Sequence, residues 1–280
     1  MQLPPDLASD QTQILAKMIP LIQACVDVLS SHGWLKPAME AMELAQMCVQ
    51  AQWNTESPLK QIPNFARELI QQAKAMGAES VFDVVEMADE DRQQLLASLG
   101  PRQVAQVADF VNRYPEIEVV HELADPDDIV CDQPATLQVG LERDMGEGDD
   151  SDPEQHAAAP SGPTSQLSGT NATQHVVGPV IAPYYPFTKD EGWWVVLGDP
   201  KTQTLASIKR VNFQERVAVK LEFVAPSEPG EHRFMLYLMS DSFVGCDQEF
   251  EVTFQARPDE EEDSDDEDAN SDAMSASGSE

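Results

Sequence analysis

The 280 residues carry 50 acidic against 17 basic side chains, a formal net charge of −33, and 41% of them are apolar. That length and apolar share supply cores for two or three small domains. A surface of that sign repels a phosphate backbone at long range, which argues against non-specific nucleic-acid binding as the main role.

Part of the charge is concentrated. Residues 259–280 hold eleven acids and no base, and residues 144–154 hold six more. The remainder is acidic as well. Cys25, Cys48, Cys131 and Cys246 lie far apart without C-x-x-C spacing, so neither a zinc site nor a redox motif is indicated. Reduced thiols in a reducing compartment are expected. No apolar run reaches the roughly 18–20 residues of a membrane span. The start, MQLPPDLASD, lacks the features of a signal peptide.

Residues 10–52 read as two helices. Leu15, Met18, Ile22, Val26 and Leu29 recur at three- and four-residue spacing, and Gly33 ends the run. Pro37 suits the first turn of a second helix, whose apolar face continues through Leu44, Met47 and Cys48. Two helices bury too little to fold alone. They read as the end of a larger helical bundle, 1–57, or as a layer docked on the next domain.

Residues 58–114 read as four short helices. Pro63 opens the first and Gly77 closes it. Ser80 and Asp83 have capping-box spacing for the second. Asp89 is placed to cap a third that ends at Gly100, and Pro101 starts the fourth. Such clusters resemble helix–loop–helix and helix-hairpin-helix modules, which touch nucleic acid through glycine-rich hairpins. The hairpin here offers one glycine, Gly100, and one base, Arg102. A protein-packing role is favoured over an RNA contact at that pair.

From Tyr114 the pattern has period two. Apolar alternation at 117–121, 137–141, 195–196, 205–208, 217–223, 234–238 and 250–254 gives about seven strands separated by turn signals. The expectation for 115–257 is an antiparallel sandwich of immunoglobulin or fibronectin III kind, with Tyr237 placed for a tyrosine corner. Overall this is an α+β chain. Residues 145–175 are rich in Gly, Ser, Ala, Pro and Asp and read as a disordered insertion; 258–280 reads as a disordered acidic tail. Ser264 and Ser277 sit in acidic contexts that suit an acidophilic kinase, or the tail is merely solubilising.

No catalytic constellation accompanies these segments. There is no Gly-Lys pair for a phosphate cradle, and no G-x-S-x-G elbow. The five histidines are scattered without ligand spacing. No cofactor is implied and an enzymatic activity of this chain is not expected.

The stretches SPLKQIPNF (57–65), SVFDVVEM (80–87), NRYPEIEV (112–119), GPVIAPYYP (178–186), EGWWVVLGD (191–199), SIKR (207–210), FVAP (223–226) and MSDSFVGCDQEF (239–250) carry a resemblance. Together with the order of helical-bundle end, four-helix module and sandwich, they resemble the Sec-sixty-three-homology unit of giant double-cassette RNA helicases, in its spliceosomal, U5 snRNP branch. The resemblance covers roughly residues 10–257; the insertion at 145–175 departs from it. It implies the C-terminal part of a second accessory unit that follows an inactive helicase cassette and serves as a platform for proteins. The partners so implied are that upstream cassette and other spliceosomal proteins, in the nucleus. Direct nucleic-acid binding would be weak or absent, and no membrane is involved. A related unit occurs in an endoplasmic-reticulum translocation component, which is the alternative; an RNA-contacting hairpin module is another.

Within the motifs, Trp193 and Trp194 are adjacent on a strand and so face opposite sides. One should fill the sandwich core; the other should lie against the helices or a partner. Asp199 belongs to a turn. Asp241, Asp247 and Gln248 are expected to tie loop backbone through their side chains. Lys209 and Arg210 are expected to pair with acids of a neighbouring domain.

Overall fold

The computed structural model describes residues 4–144 and 178–259. The expected disordered insertion and most of the acidic tail, with Ser264 and Ser277, lie outside the described residues. Among the described residues six α-helices precede seven strands.

Helix α1, Pro5–Ser31, begins with proline in its first turn, where a missing N–H costs nothing, and carries Asp6 at its positive end. Gly33, at φ +71°, turns the chain. Helix α2, Leu35–Gln50, then runs back along α1. The buried stripe of α2 is Leu35, Ala38, Met42, Ala45 and Val49. This corrects the expected face: Leu44 is exposed, and Met47 and Cys48 are only half-buried. The face is rotated because α2 packs on a β-sheet as well as on α1.

A 3₁₀ turn, Pro58–Gln61, leads to α3, Arg67–Ala75. Pro63 therefore precedes α3 instead of opening it. Gly77, at φ +91°, follows its end. Helix α4, Val81–Glu86, has the full capping box: Ser80 Oγ accepts from Asp83 N, and the Asp83 carboxylate accepts from Ser80 N at 2.7 Å. Those bonds to the charged form hold the Asp83 carboxyl below its usual range. Helix α5, Asp89–Leu96, is not capped by Asp89, which lies inside the first turn and pairs with Arg92. Helix α6, Pro101–Val111, starts at proline as expected.

The strands are β1 (Ile117–Leu123), β2 (Pro134–Arg143), β3 (Trp193–Asp199), β4 (Thr204–Val211), β5 (Arg216–Val224), β6 (Gly230–Ser240) and β7 (Gln248–Ala256). They form two antiparallel sheets, ordered β1-β2-β5 and β4-β3-β6-β7. Alternation is clean on β2, β5 and β7, which have one wet face. Strand β3 instead reads WWVVLGD with every residue through Gly198 buried, because both its faces are covered.

Two apolar cores explain that double covering. One lies between the sheets and continues into α3–α6 through Phe110, Tyr114 and Phe243. The other lies on the outer face of the four-stranded sheet. There Trp194, Val196, Tyr237 and Met239 meet Ile19, Ile22 and Val26 of α1 and the buried stripe of α2. Tyr237 is therefore an outward-facing core residue in the middle of β6, paired with Val196 and Glu249, and not a tyrosine corner.

The second core is tight at Gly198. A Cβ built there meets the Leu35 methyls at 2.7 and 2.8 Å and the Thr204 carbonyl oxygen at 3.1 Å. Gly198→Ala is expected to cost about 1–3 kcal/mol, the scale of an overpacked core. Urea unfolding measures it. Adding Leu35→Ala should return part of the loss, which a double-mutant cycle reads directly.

Helix α1 also revises the reading of apolar runs. Its stretch Asp6–Ser31 is long and apolar enough to cross a membrane, with an 18-residue window of mean hydropathy 1.5. Asp10, Lys17 and Asp27 interrupt the run without removing its average hydrophobicity. Ile19, Ile22 and Val26 spend one face of this helix on the second core.

Candidate interaction site

The loop between β6 and β7 with the strand residue at either end, 240–248, is where the helices and both sheets converge. It contains the SD–GCDQ motif. Its residues Ser240, Asp241 and Ser242 are fully buried although all are polar, so each needs hydrogen-bond partners.

Asp241 supplies most of them. Its carboxylate accepts from Lys189 Nζ and Arg210 Nη2, both at 2.7 Å, from Gly192 N at 3.0 Å, and from Ser242 Oγ. Arg210 also lies over the Trp194 ring, 5.5 Å from its centroid. A buried carboxylate with two cations and a backbone donor is compensated. A Cβ on Gly192 would stand 2.6 Å from Asp241 Oδ2, so the glycine permits the approach. Arg210 thus pairs within its own sheet region and not with a neighbouring domain, as expected of it; the strand carrying it reaches the loop directly. Lys209 is exposed and has no ion pair among the described residues.

Asp247 has no cationic partner among the described residues. Its carboxylate accepts from Gln46 Nε2 at 3.0 and 2.8 Å and from Ser240 N at 2.7 Å. Gln50 Nε2 donates to Ser242 O at 2.8 Å. These two glutamines, one turn apart on α2, dock that helix onto the loop. Gln61 clamps Val244 from the 3₁₀ turn, donating to its oxygen at 2.6 Å and accepting from its nitrogen at 3.2 Å. Tyr114, at the end of the helical module, donates to the same Val244 oxygen at 2.8 Å. Gln248 Nε2 donates to Ile117 O on β1 at 2.8 Å. The carboxylate and amide roles expected of Asp241, Asp247 and Gln248 are therefore structural ties. Burial pushes the Tyr114 hydroxyl and the Cys246 thiol well above their usual ranges, so both stay protonated at neutral pH. All four cysteines are free thiols.

Trp193 and Trp194 take opposite faces, as strand geometry requires. Trp193, 1% exposed, enters the core between the sheets. Its Nε1 donates to Glu191 Oε1 at 2.6 Å, and Glu191 also pairs with the buried Arg143. Trp194, 2% exposed, enters the core beneath α1 and α2. The outer tryptophan thus anchors an interface within the chain. Asp199 closes the β3–β4 turn, accepting from Lys201 N at 2.7 Å and Thr202 Oγ1 at 2.8 Å.

The hairpin offers little to a phosphate. Gly100 N already donates to Gln103 Oε1 at 3.0 Å, and Arg102 is the one exposed base beside it. Among the described residues no group of three His, Cys, Asp or Glu is arranged to hold a metal ion.

Residues 1–253 match the sequence family of the Sec63 Brl domain. The chain belongs to that family. As a Sec63 Brl chain it is 48% identical over 255 residues to the U5 small nuclear ribonucleoprotein 200 kDa helicase of Drosophila melanogaster, covering 91% of this chain and 10% of that protein. It is 47% identical over 257 residues to the Homo sapiens protein of the same name, covering 92% and 11%. It is 42% identical to the DExH-box ATP-dependent RNA helicase DExH12 of Arabidopsis thaliana, covering 90% and 10%. The chain spans about a tenth of the length of these relatives. A solved CARDB domain from Pyrococcus furiosus is a remote likeness, at 12% identity and TM-score 0.27 over 52% of this chain and 94% of that one.

Gln46, Gln50, Gln61, Tyr114 and Lys189 are the residues of this Sec63 Brl chain that sequence reasoning missed. Only Gln46 and Gln50 left a trace, as polar residues on the apolar side of α2 at four-residue spacing. Their partners are nearly 200 positions away.

The unpaired Asp247 makes a pH prediction. Burial, the largest cause, raises its carboxyl to about 6 from 3.8; bonds from Gln46 and Ser240 oppose the rise and the Glu43 charge adds to it. The folded state then holds the proton more tightly than the unfolded one. This group's contribution is fully present below about pH 4 and is lost as pH rises to about 6. The difference is about 3 kcal/mol at most. Urea midpoints at pH 5 and 8 check it: Asp247→Asn should narrow the gap between them, and an unchanged gap would show that Asp247 is not responsible.

Proposed function

We propose that this chain is a non-catalytic accessory unit of a spliceosomal RNA helicase, acting in the nucleus in pre-mRNA splicing as a scaffold for the helicase cassette and other spliceosomal proteins. The observation that carries the reading is the outer face of α1. Leu7, Ile14, Leu21 and Val28 recur every seventh residue and are each 54–63% exposed, on a stripe beside the face that α1 turns to the second core. A helix with a second, uncovered apolar stripe is suited to pack against a further layer, and among the described residues only one layer covers it. That stripe is where the rest of a helical bundle docks, with 1–57 as bundle end, 58–114 as helix–loop–helix module and 115–257 as sandwich. The strand order β1-β2-β5 and β4-β3-β6-β7 supports an immunoglobulin or fibronectin III-like sandwich. Similarity to the named U5 helicases at 47–48% identity supports the assembly. The acidic charge supports weak or absent direct RNA binding.

The test is co-purification with the helicase cassette and upstream bundle of a U5 200 kDa relative, supplied without its own corresponding segment. The expected result is a stable complex that Ile14→Glu with Leu21→Glu disrupts. Absence of any complex, or one indifferent to those changes, would overturn the reading.

A further inference from the structure

A groove of about 1170 Å³ runs where the end of α2, the 3₁₀ turn, α3 and residues 181–184 meet. We propose that it binds an extended segment of a partner protein in which apolar side chains alternate with carboxylates. The inference rests on the reading of the chain as an interaction unit and names the chemistry of one partner.

The first support is charge. Arg67 and Lys74 lie seven residues apart on one stripe of α3, line the groove, are exposed, and have no ion pair among the described residues. The carboxylates on the same walls are already engaged. Glu56 is 2.6 Å from Lys60, and Asp109 is 3.0 Å from Arg113. A chain of net charge −33 therefore presents a locally cationic groove. The second support is apolar surface: Ile70 and Ile181 are half-buried in the lining, and Tyr184, 73% exposed, stands at its side. An exposed tyrosine beside a groove is an economical contact for a peptide, with large area and few rotors. The third is hydrogen bonding. Gln50, 4% exposed, lines the groove, and its Oε1 has no partner; neither has Ser57 Oγ. Buried oxygens without donors are rare, and the backbone N–H groups of an extended strand are donors at regular spacing.

RNA fits these features less well. Two free cations give a small electrostatic footprint against the repulsion of the whole chain, and an apolar floor offers nothing to a phosphate. The chain's own residues 260–280 carry ten acids and no base, with Met274 as the one large apolar residue; they satisfy the charge and leave the floor empty.

The experiment is selection of a display library of random nine-residue peptides on the full chain, with an Arg67→Glu, Lys74→Glu, Tyr184→Ala variant as counter-selection. These three positions are exposed, and circular dichroism verifies that the variant folds. The expected result is enrichment of peptides with apolar residues between Asp or Glu, binding the variant at least tenfold more weakly than the unaltered chain. The charge pair alone should account for most of that factor. No enrichment, enrichment of basic peptides, or equal binding to the variant would overturn the proposal. So would tighter binding of a ten-nucleotide oligouridine, or of a synthetic 260–280 peptide, than of any selected sequence. If peptide capture fails while the cassette complex forms, the groove is wrong and the accessory-unit reading stands; the opposite pair of results separates them the other way.

Discussion

Asp241→Asn is expected to destabilise the chain by about 3–5 kcal/mol, the scale for breaking a buried ion pair by removing one partner. The carboxylate is fully buried, and so nearly is Lys189, whose side chain is 10% exposed. An amide keeps the shape but removes the charge, leaving the Lys189 ammonium uncompensated. Arg210 suffers less, since its side chain is 37% exposed and water can take over. For a chain of this size the loss corresponds to a melting temperature lower by about 10 °C or more. Differential scanning calorimetry measures it. Lys189→Met in the Asp241→Asn background should recover much of the loss, because an apolar residue in place of the stranded ammonium removes the penalty. A shift under about 2 °C for Asp241→Asn would mean that the carboxylate is not the knot described above.

Trp194→Ala is expected to cost about 3–5 kcal/mol as well, and to act at a different place. The indole fills the core shared by the sheet, α1 and α2, and carries the Arg210 guanidinium on its face. Its removal leaves a cavity between the helices and β3 without touching the core between the sheets. Hydrogen exchange should therefore show loss of protection concentrated in α1 and α2. Trp193→Ala should instead loosen both sheets, since that ring lies in the core they share with α3–α6. If the two substitutions gave the same exchange pattern, the division into two cores would be wrong.

The strands were the most legible part of the chain. Val139, Val219 and Phe254 sit in period-two runs whose other face is wet, and such runs announce themselves. The two tryptophans were readable for the same geometric reason: neighbours on a strand cannot share a face. The capping box at Ser80 and Asp83 was legible because both its bonds are local. The rotation of α2 was not, since its buried face is set by Leu35 against Gly198, a contact made 163 positions away. Nor was the engagement of Gln46 and Gln50, because a polar residue on a helix ordinarily faces water. Arg210 was assigned to a neighbouring domain because sequence gives no hint that its guanidinium reaches Asp241, 31 positions on and just past the end of β6.

The loop between β6 and β7 has a consequence for how this molecule comes apart. Gln46 and Gln50, Gln61, Tyr114, Lys189 and Ile117 all make hydrogen bonds to nine consecutive residues. Peeling away any one segment strands buried donors or acceptors on those that stay. Heating should then produce one cooperative calorimetric peak, with no separate melting of its parts.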